Sequence, residues 1–101
     1  MGKKYKFEYL PIATKDLTEI LEYIELDNPQ AALRLLNELD STISNLEIFP
    51  YMGIVPKDFR LERLGYRMLI VNSYLVFYIV LDDVIEIRRI IYGKRKYGFL
   101  L

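Results

Sequence analysis

The chain contains neither cysteine nor histidine among its 101 residues. Without cysteine it has no disulfide, no thiol nucleophile and no iron–sulfur ligand, which fits a cytoplasmic protein. Without histidine it lacks the usual general acid or base near neutral pH, and zinc sites built from histidine or cysteine are excluded. Any catalysis must therefore use carboxylates, lysine, arginine, tyrosine, serine or threonine.

Long apolar segments are also missing. The longest apolar run, residues 74–81, has eight residues, whereas a membrane-spanning helix needs about 20. No apolar stretch follows the basic N-terminus, so we expect no signal peptide, no membrane contact and a cytoplasmic location. With 52% hydrophobic and 28% charged side chains, the composition is that of a globular protein, and we expect one domain over residues 1–101.

Charge is balanced overall but divided along the chain, with 14 basic and 14 acidic side chains. Residues 11–50 hold two basic and eight acidic side chains, whereas residues 51–101 hold nine basic and five acidic ones. Two solvated surfaces of opposite sign would explain this division. This is the explanation that charge alone favours, and the alternative is a basic face that binds a polyanion, beside an acidic element that faces away from it.

The first half of the chain predicts a strand followed by helices. Residues 3–9 alternate between apolar and charged side chains, as in a strand with one buried face. Pro11 ends this strand, and Thr14 is the expected N-cap of a first helix that stops near Asp27. Asp16 then lies in the first turn, where a carboxylate favours the helix dipole.

A second helix is predicted to begin at Asn28 and Pro29, because asparagine is a good cap and proline is well tolerated at the first helical position. Its apolar residues recur at helical spacing as far as Leu46, so the helix should reach Glu47. The link between the two helices is so short that they must be antiparallel neighbours.

The second half of the chain predicts a loop and three strands. Residues 51–64 are irregular, with one possible helical turn, and residues 66–71, 74–81 and 84–92 are strand-like. Short links between these strands indicate an antiparallel meander. We therefore predict an α+β fold in the order β-α-α-β-β-β. Its helical hairpin packs on one face of an antiparallel sheet, and the opposite face is left to basic residues.

This order of elements resembles toxins of the RelE/ParE superfamily from type II toxin–antitoxin modules. The similar segments, which span nearly the whole chain, are A-T-K-D-L-T-E-I-L-E-Y-I at 13–24, N-P-Q-A-A-L-R-L-L at 28–36, L-E-I-F-P-Y-M-G at 46–53, G-Y-R-M-L-I-V-N-S-Y-L-V-F-Y at 65–78 and I-E-I-R-R-I-I-Y-G-K-R-K-Y at 85–97. The resemblance implies a growth-inhibiting toxin associated with plasmid stabilization, without metal or other cofactor. It also implies a cognate antitoxin, encoded in the same operon, that joins the toxin in a hetero-oligomer.

The superfamily divides by target. RelE-like members cut mRNA in the ribosome without a metal, whereas ParE-like members inhibit DNA gyrase by binding and cut no RNA. The helical hairpin followed by F-P-x-x-G at 49–53 resembles the ParE branch, and the basic and aromatic segment 92–97 resembles the RelE branch. We expect the mRNA endonuclease, with gyrase inhibition as the alternative. An inactive or purely regulatory member, and a small binding domain unrelated to toxins, are further alternatives.

RNA cleavage through the 2′-hydroxyl needs a base, a cation for the phosphate and an acid for the leaving oxygen. In the absence of histidine, the planar guanidinium of an arginine can bind two phosphate oxygens at once. A lysine or tyrosine would then act as the base or the acid. Arg88 and Arg89 are adjacent, so one should be solvated on the open face and the other paired. The expected catalytic residues are Arg67, Lys94, Arg95 and Tyr97, and the expected RNA-binding residues are Arg60, Arg63, Arg89, Tyr92 and Lys96.

Overall fold

A computed structural model of the chain describes residues 4–93 and residue 101. The element order is the predicted one, with a short third helix in the segment that was expected to be a loop with one helical turn. A turn of 3-10 helix at Asn45–Glu47 extends the second helix. The elements are β1 (Lys6–Tyr9), α1 (Pro11–Asp27), α2 (Pro29–Ser44), α3 (Phe59–Arg63), β2 (Tyr66–Val71), β3 (Tyr74–Leu81) and β4 (Val84–Tyr92).

The four strands form one sheet in the order β1-β4-β3-β2. Strands β2, β3 and β4 make the predicted antiparallel meander. Strand β1, however, joins β4 in parallel, with Lys6 opposite Val84 and Tyr9 opposite Ile87. The α+β prediction is therefore confirmed, and the sheet is mixed at one edge. Alternation along a sequence shows that a strand has one buried face, but it does not show in which direction the strand pairs.

The two long helices begin differently. Helix α2 starts as predicted, since the Asn28 side chain accepts a hydrogen bond from the backbone N–H of Ala31 at 3.1 Å and Pro29 follows it. Helix α1 begins at Pro11, with Leu10 at the N-cap position, four residues before the cap expected at Thr14. The N–H of Thr14 already donates to the Leu10 carbonyl at 3.1 Å. Proline at the first helical position sets this start, because its missing N–H costs nothing there.

The helical hairpin covers one face of the sheet, as predicted. Its buried side chains interdigitate with every second residue of the strands, and Tyr5 and Phe7 pack at the margin of the cluster. This inner cluster contains Ala13, Leu35, Leu39, Ile43, Leu46, Leu69, Val71, Val76, Tyr78, Ile85, Ile87 and Ile90.

The outer face of the sheet is also apolar, which corrects the expectation that it is left to basic residues. It carries a second buried cluster of Leu61, Tyr66, Phe77, Ile79 and Ile91. Leu61 comes from α3, which lies over this face, and the side chain of Leu101 packs against the same cluster. In the central strands both the odd-numbered and the even-numbered residues, which point to opposite faces of the sheet, are mostly apolar. Both faces must therefore be covered.

Two tight turns and a bulge shape the meander. Asn72 and Asp82 have φ of 57° and 52°, the left-handed conformation that asparagine and aspartate tolerate in hairpin turns. The pairing of β3 with β4 shifts between Phe77 and Tyr78, so that Arg88 is an extra residue on β4. Along residues 4–93 and 101, no helix is both long enough and apolar enough to cross a membrane.

Candidate functional site

Arg67 on β2 is bound to the loop of residues 48–55, which we call the edge loop. Its Nη1 donates to the carbonyl oxygens of Tyr51 and Gly53, at 3.0 Å each. Its guanidinium carbon lies 5.1 Å from the centroid of the Tyr51 ring. The side chain therefore holds the edge loop against the sheet through Nη1.

Tyr78 completes this attachment from the neighbouring strand. Its hydroxyl accepts a hydrogen bond from the backbone N–H of Gly53 at 2.9 Å. A Cβ at position 53 would lie 2.5 Å from that hydroxyl oxygen, so only glycine fits. Burial raises the pKa of Tyr78 above its usual 10.0, against the smaller opposing effects of the Gly53 N–H and of Arg67. The glycine of F-P-x-x-G is thus required by a close approach of the loop to the sheet.

Arg89 on β4 is paired with the acidic hairpin. Its Nε and Nη2 donate to the two carboxylate oxygens of Asp16, at 2.7 and 3.0 Å. Both side chains are 14% exposed, and this bidentate bond, against a smaller opposing effect of burial, raises the pKa of Arg89. Asp16 also accepts from the backbone N–H of Ile90 at 3.0 Å. The pairing of β1 with β4 ends at Ile87, so β1 offers no acceptor to the N–H of Ile90. The Asp16 carboxylate accepts that hydrogen bond instead.

Arg88 is paired as well, which corrects the expectation that one of the two adjacent arginines is solvated. Its Nη1 donates to the Glu86 carboxylate, two residues earlier on the same strand. Its guanidinium lies over the Tyr66 ring, 5.6 Å from the centroid. The bulge at Arg88 breaks the simple alternation of faces, so each guanidinium finds a carboxylate within the fold.

Arg60 and Arg63 lie in α3, which packs beside Tyr66 on the outer face of the sheet. The Asp58 side chain caps this helix by accepting from the N–H of Arg60 at 2.9 Å. The guanidinium of Arg63 stacks over the Phe59 ring at 5.7 Å. The expected RNA-binding residues are therefore divided between α3 and β4, and they do not form one basic surface with Arg67.

Tyr92, another expected RNA-binding residue, lies in an acidic surrounding. It lines a groove of about 600 Å³ together with Tyr23, Tyr74 and the carboxylates of Asp16 and Glu19. Because Asp16 is paired with Arg89, the remaining negative charge is that of the exposed Glu19, which repels a phosphate and disfavours RNA binding by Tyr92. The remaining expected site residues, Lys94, Arg95, Lys96 and Tyr97, lie outside the residues that the structure describes.

Sequence reasoning missed the exposed apolar side chains of the edge loop. Tyr51, Met52, Ile54 and Val55 are all exposed, with Tyr51 at 58%. Their signal in the sequence is an apolar run among Pro50, Gly53 and Pro56 that follows neither a helical nor a strand period. Exposed apolar surface of this kind marks an interaction surface.

Comparisons with known proteins agree with this fold. A family model described as "ParE toxin of type II toxin-antitoxin system, parDE" matches residues 7–97. No curated protein matches the chain significantly. A solved chain of the "Chromosomal ParDE TA system from P. aeruginosa" superposes with a TM-score of 0.75 at 18% identity, covering 92% of this chain and 100% of that one. That likeness establishes the fold, and the family match over residues 7–97 shows that the chain belongs to the ParE toxin family of type II toxin–antitoxin systems.

Proposed function

We propose that this type II toxin inhibits growth by binding DNA gyrase and that it cuts no RNA. One observation carries the choice between the two branches of the superfamily. Arg67 and Arg89, the candidate arginines on the strands, are both engaged within the fold, Arg67 with two carbonyl oxygens and Arg89 with Asp16. A phosphate would have to compete with Asp16 for Arg89, and that pair is largely buried, whereas Arg67 is held at the edge loop through Nη1.

The proton-transfer groups support the same choice. A ribonuclease needs its base, its cation and its acid around one phosphate. Tyr92 lies beside Asp16 and Glu19, and Tyr78 is buried with its hydroxyl bonded to Gly53. Tyr66 does line an opening together with Arg88 and Arg89, but both of these arginines are already paired with carboxylates. Membership of the ParE family favours the branch that acts by binding.

Two reactions with purified components test the proposal. In the first, gyrase supercoils a relaxed plasmid with and without the toxin. In the second, primer extension follows a message that is translated in a purified system. We expect loss of supercoiling in the first reaction and full-length message in the second. A cut message together with unchanged supercoiling would refute the proposal.

The nuclease alternative depends on the basic and aromatic segment after β4. If the message is cut, the double variant Lys94→Ala/Arg95→Ala should leave it intact. The matched control is Lys15→Ala/Lys57→Ala, which removes two cations from other parts of the chain. A folded Lys94→Ala/Arg95→Ala variant that still cuts the message would show that these residues are not catalytic.

We also propose that the cognate antitoxin docks along the outer edge of β2. In the part of the chain that the structure describes, this edge is paired only where Met68 and Ile54 exchange backbone hydrogen bonds of 2.8 and 2.9 Å. Two residues further on, Ile70 is 59% exposed. Open backbone groups beside exposed apolar side chains suit an added segment. Hydrogen exchange should therefore show that the amide of Ile70 becomes protected when the antitoxin binds, and an unchanged exchange rate would contradict this docking site.

A further inference from the structure

Three tyrosines and two carboxylates meet in the groove between α1 and the end of the sheet. Asp16, Glu19 and Tyr23 follow one another at helical spacing on one face of α1, and Tyr74 and Tyr92 come from β3 and β4. The Tyr74 and Tyr92 rings stand edge to face, with centroids 5.7 Å apart at 61°. We call this arrangement the tyrosine groove. None of its features is required by the proposed binding of gyrase.

The electrostatics of the tyrosine groove favour a cation. The three phenols line the same groove, and the pKa of Tyr74 is raised by burial first and then by the nearby Tyr92 and Tyr23. Aromatic faces are the negative ends of the ring quadrupole, so they attract cations in the same way as the carboxylates beside them. An anion would meet the exposed carboxylate of Glu19, since Asp16 is already paired with Arg89, and a neutral ligand would gain nothing from that charge.

The two carboxylates have different roles. Asp16 is already engaged with Arg89 and with the N–H of Ile90. Glu19 is 65% exposed at its side chain, and its nearest cation is Lys15 at 3.9 Å, a distance typical of a weak surface pair. Glu19 is therefore the carboxylate that can exchange its partner for an incoming cation.

We propose that the tyrosine groove binds the guanidinium of an arginine side chain presented by a protein partner. A planar guanidinium stacks on a phenol ring and forks onto a carboxylate at the same time, whereas an ammonium group acts as a point charge. The groove, at about 600 Å³, has the size of a small-ligand pocket, so an extended side chain fits within it. Polyamines share the cationic chemistry and are the competing source.

The test titrates the full chain, made by cell-free synthesis with isotope-labelled tyrosine, with three probes followed by NMR. The probes are a blocked Gly-Arg-Gly peptide, the same peptide with citrulline in place of arginine, and spermidine. We expect the ring signals of Tyr23, Tyr74 and Tyr92 to shift and to saturate with the arginine peptide at millimolar concentrations, as for a partly exposed cation–π site. The neutral citrulline peptide should bind at least about fivefold more weakly.

Variants separate a built site from non-specific attraction. Glu19→Gln and Tyr23→Leu should each weaken binding by about threefold or more, and Tyr23→Phe should retain it because the ring remains. Tyr23 is 71% exposed, so these changes leave the core intact. Tyr51→Leu, at another exposed tyrosine, is the matched control and should have no effect.

The proposal is overturned if no ring signal saturates, if citrulline binds as well as arginine, or if Glu19→Gln binds as tightly as the unchanged chain. Saturation by spermidine without saturation by the arginine peptide overturns the assignment to a protein side chain. None of these results depends on gyrase inhibition, so the failure of one proposal is distinguishable from the failure of the other.

Discussion

The buried pair of Asp16 and Arg89 makes the strongest prediction for stability. Asp16→Ala removes the acceptor of three hydrogen bonds and takes its carboxylate away from the Arg89 guanidinium, whose side chain is 14% exposed. Breaking a buried ion pair from one side costs about 3–5 kcal/mol. A domain of this size is stable by about 5–15 kcal/mol, so the variant should lose a large part of its stability.

Urea unfolding measures this loss, and a double-mutant cycle assigns it to the pair. Asp16→Ala, Arg89→Leu and the double variant are compared with the unchanged chain. The double variant should be more stable than Asp16→Ala alone, because it removes the unpaired charge together with its partner. Lys15→Ala, at the adjacent exposed residue, is the control and should cost less than about 0.5 kcal/mol, as expected for a surface pair.

Two results would refute this reasoning. The first is an Asp16→Ala variant that loses less than about 1 kcal/mol, the size of an ordinary exposed hydrogen bond. The second is a double variant whose loss equals the sum of the two single losses, since that would show no coupling between the side chains. Either result would mean that Arg89 remains solvated in solution, which would return it to the candidates for phosphate binding.

Three further predictions concern the edge loop and the turns. Gly53→Ala should cost about 1–3 kcal/mol in urea unfolding, because its Cβ would lie 2.5 Å from the Tyr78 hydroxyl oxygen; an unchanged midpoint would contradict the close approach. The pKa of Tyr78 is raised by burial in the folded state, so its contribution to stability is complete below pH 10.0 and is lost as the pH rises through the folded pKa. The free energy of unfolding of Tyr78→Phe should therefore fall less steeply with rising pH above 10.0 than that of the unchanged chain. If both fall equally steeply, Tyr78 is not a cause of the loss. Asn72→Val should lower stability by about 1–2 kcal/mol because φ is 57° there, with Asn72→Gly as the tolerated control.

The meander could be read from the sequence because its signals are local. Strands β2, β3 and β4 have the bounds that the apolar runs predict, since Asn72 and Asp82 mark the turns between them. The start of α2 could also be predicted from the sequence, because Asn28 and Pro29 act within one turn of the helix. Each of these features depends on residues a few positions apart.

The rest depends on contacts between distant residues. Asp16 was expected to act on its own helix dipole, but it binds Arg89, 73 residues away. Arg67 was a candidate for catalysis because a guanidinium matches the oxygens of a phosphate, whereas its partners belong to the edge loop. Neither partner is indicated by spacing along the chain, because the tertiary structure brings them together.

The pairing of β1 with β4 places the first strand of the chain beside the last one. Lys6 lies opposite Val84, so the sheet cannot be completed until the final part of the chain has been synthesised. While the protein is being translated, its first strand therefore has no partner, and contacts over such long separations also slow folding. The mixed sheet of this toxin therefore forms only once β4 has left the ribosome, and not strand by strand as the chain emerges.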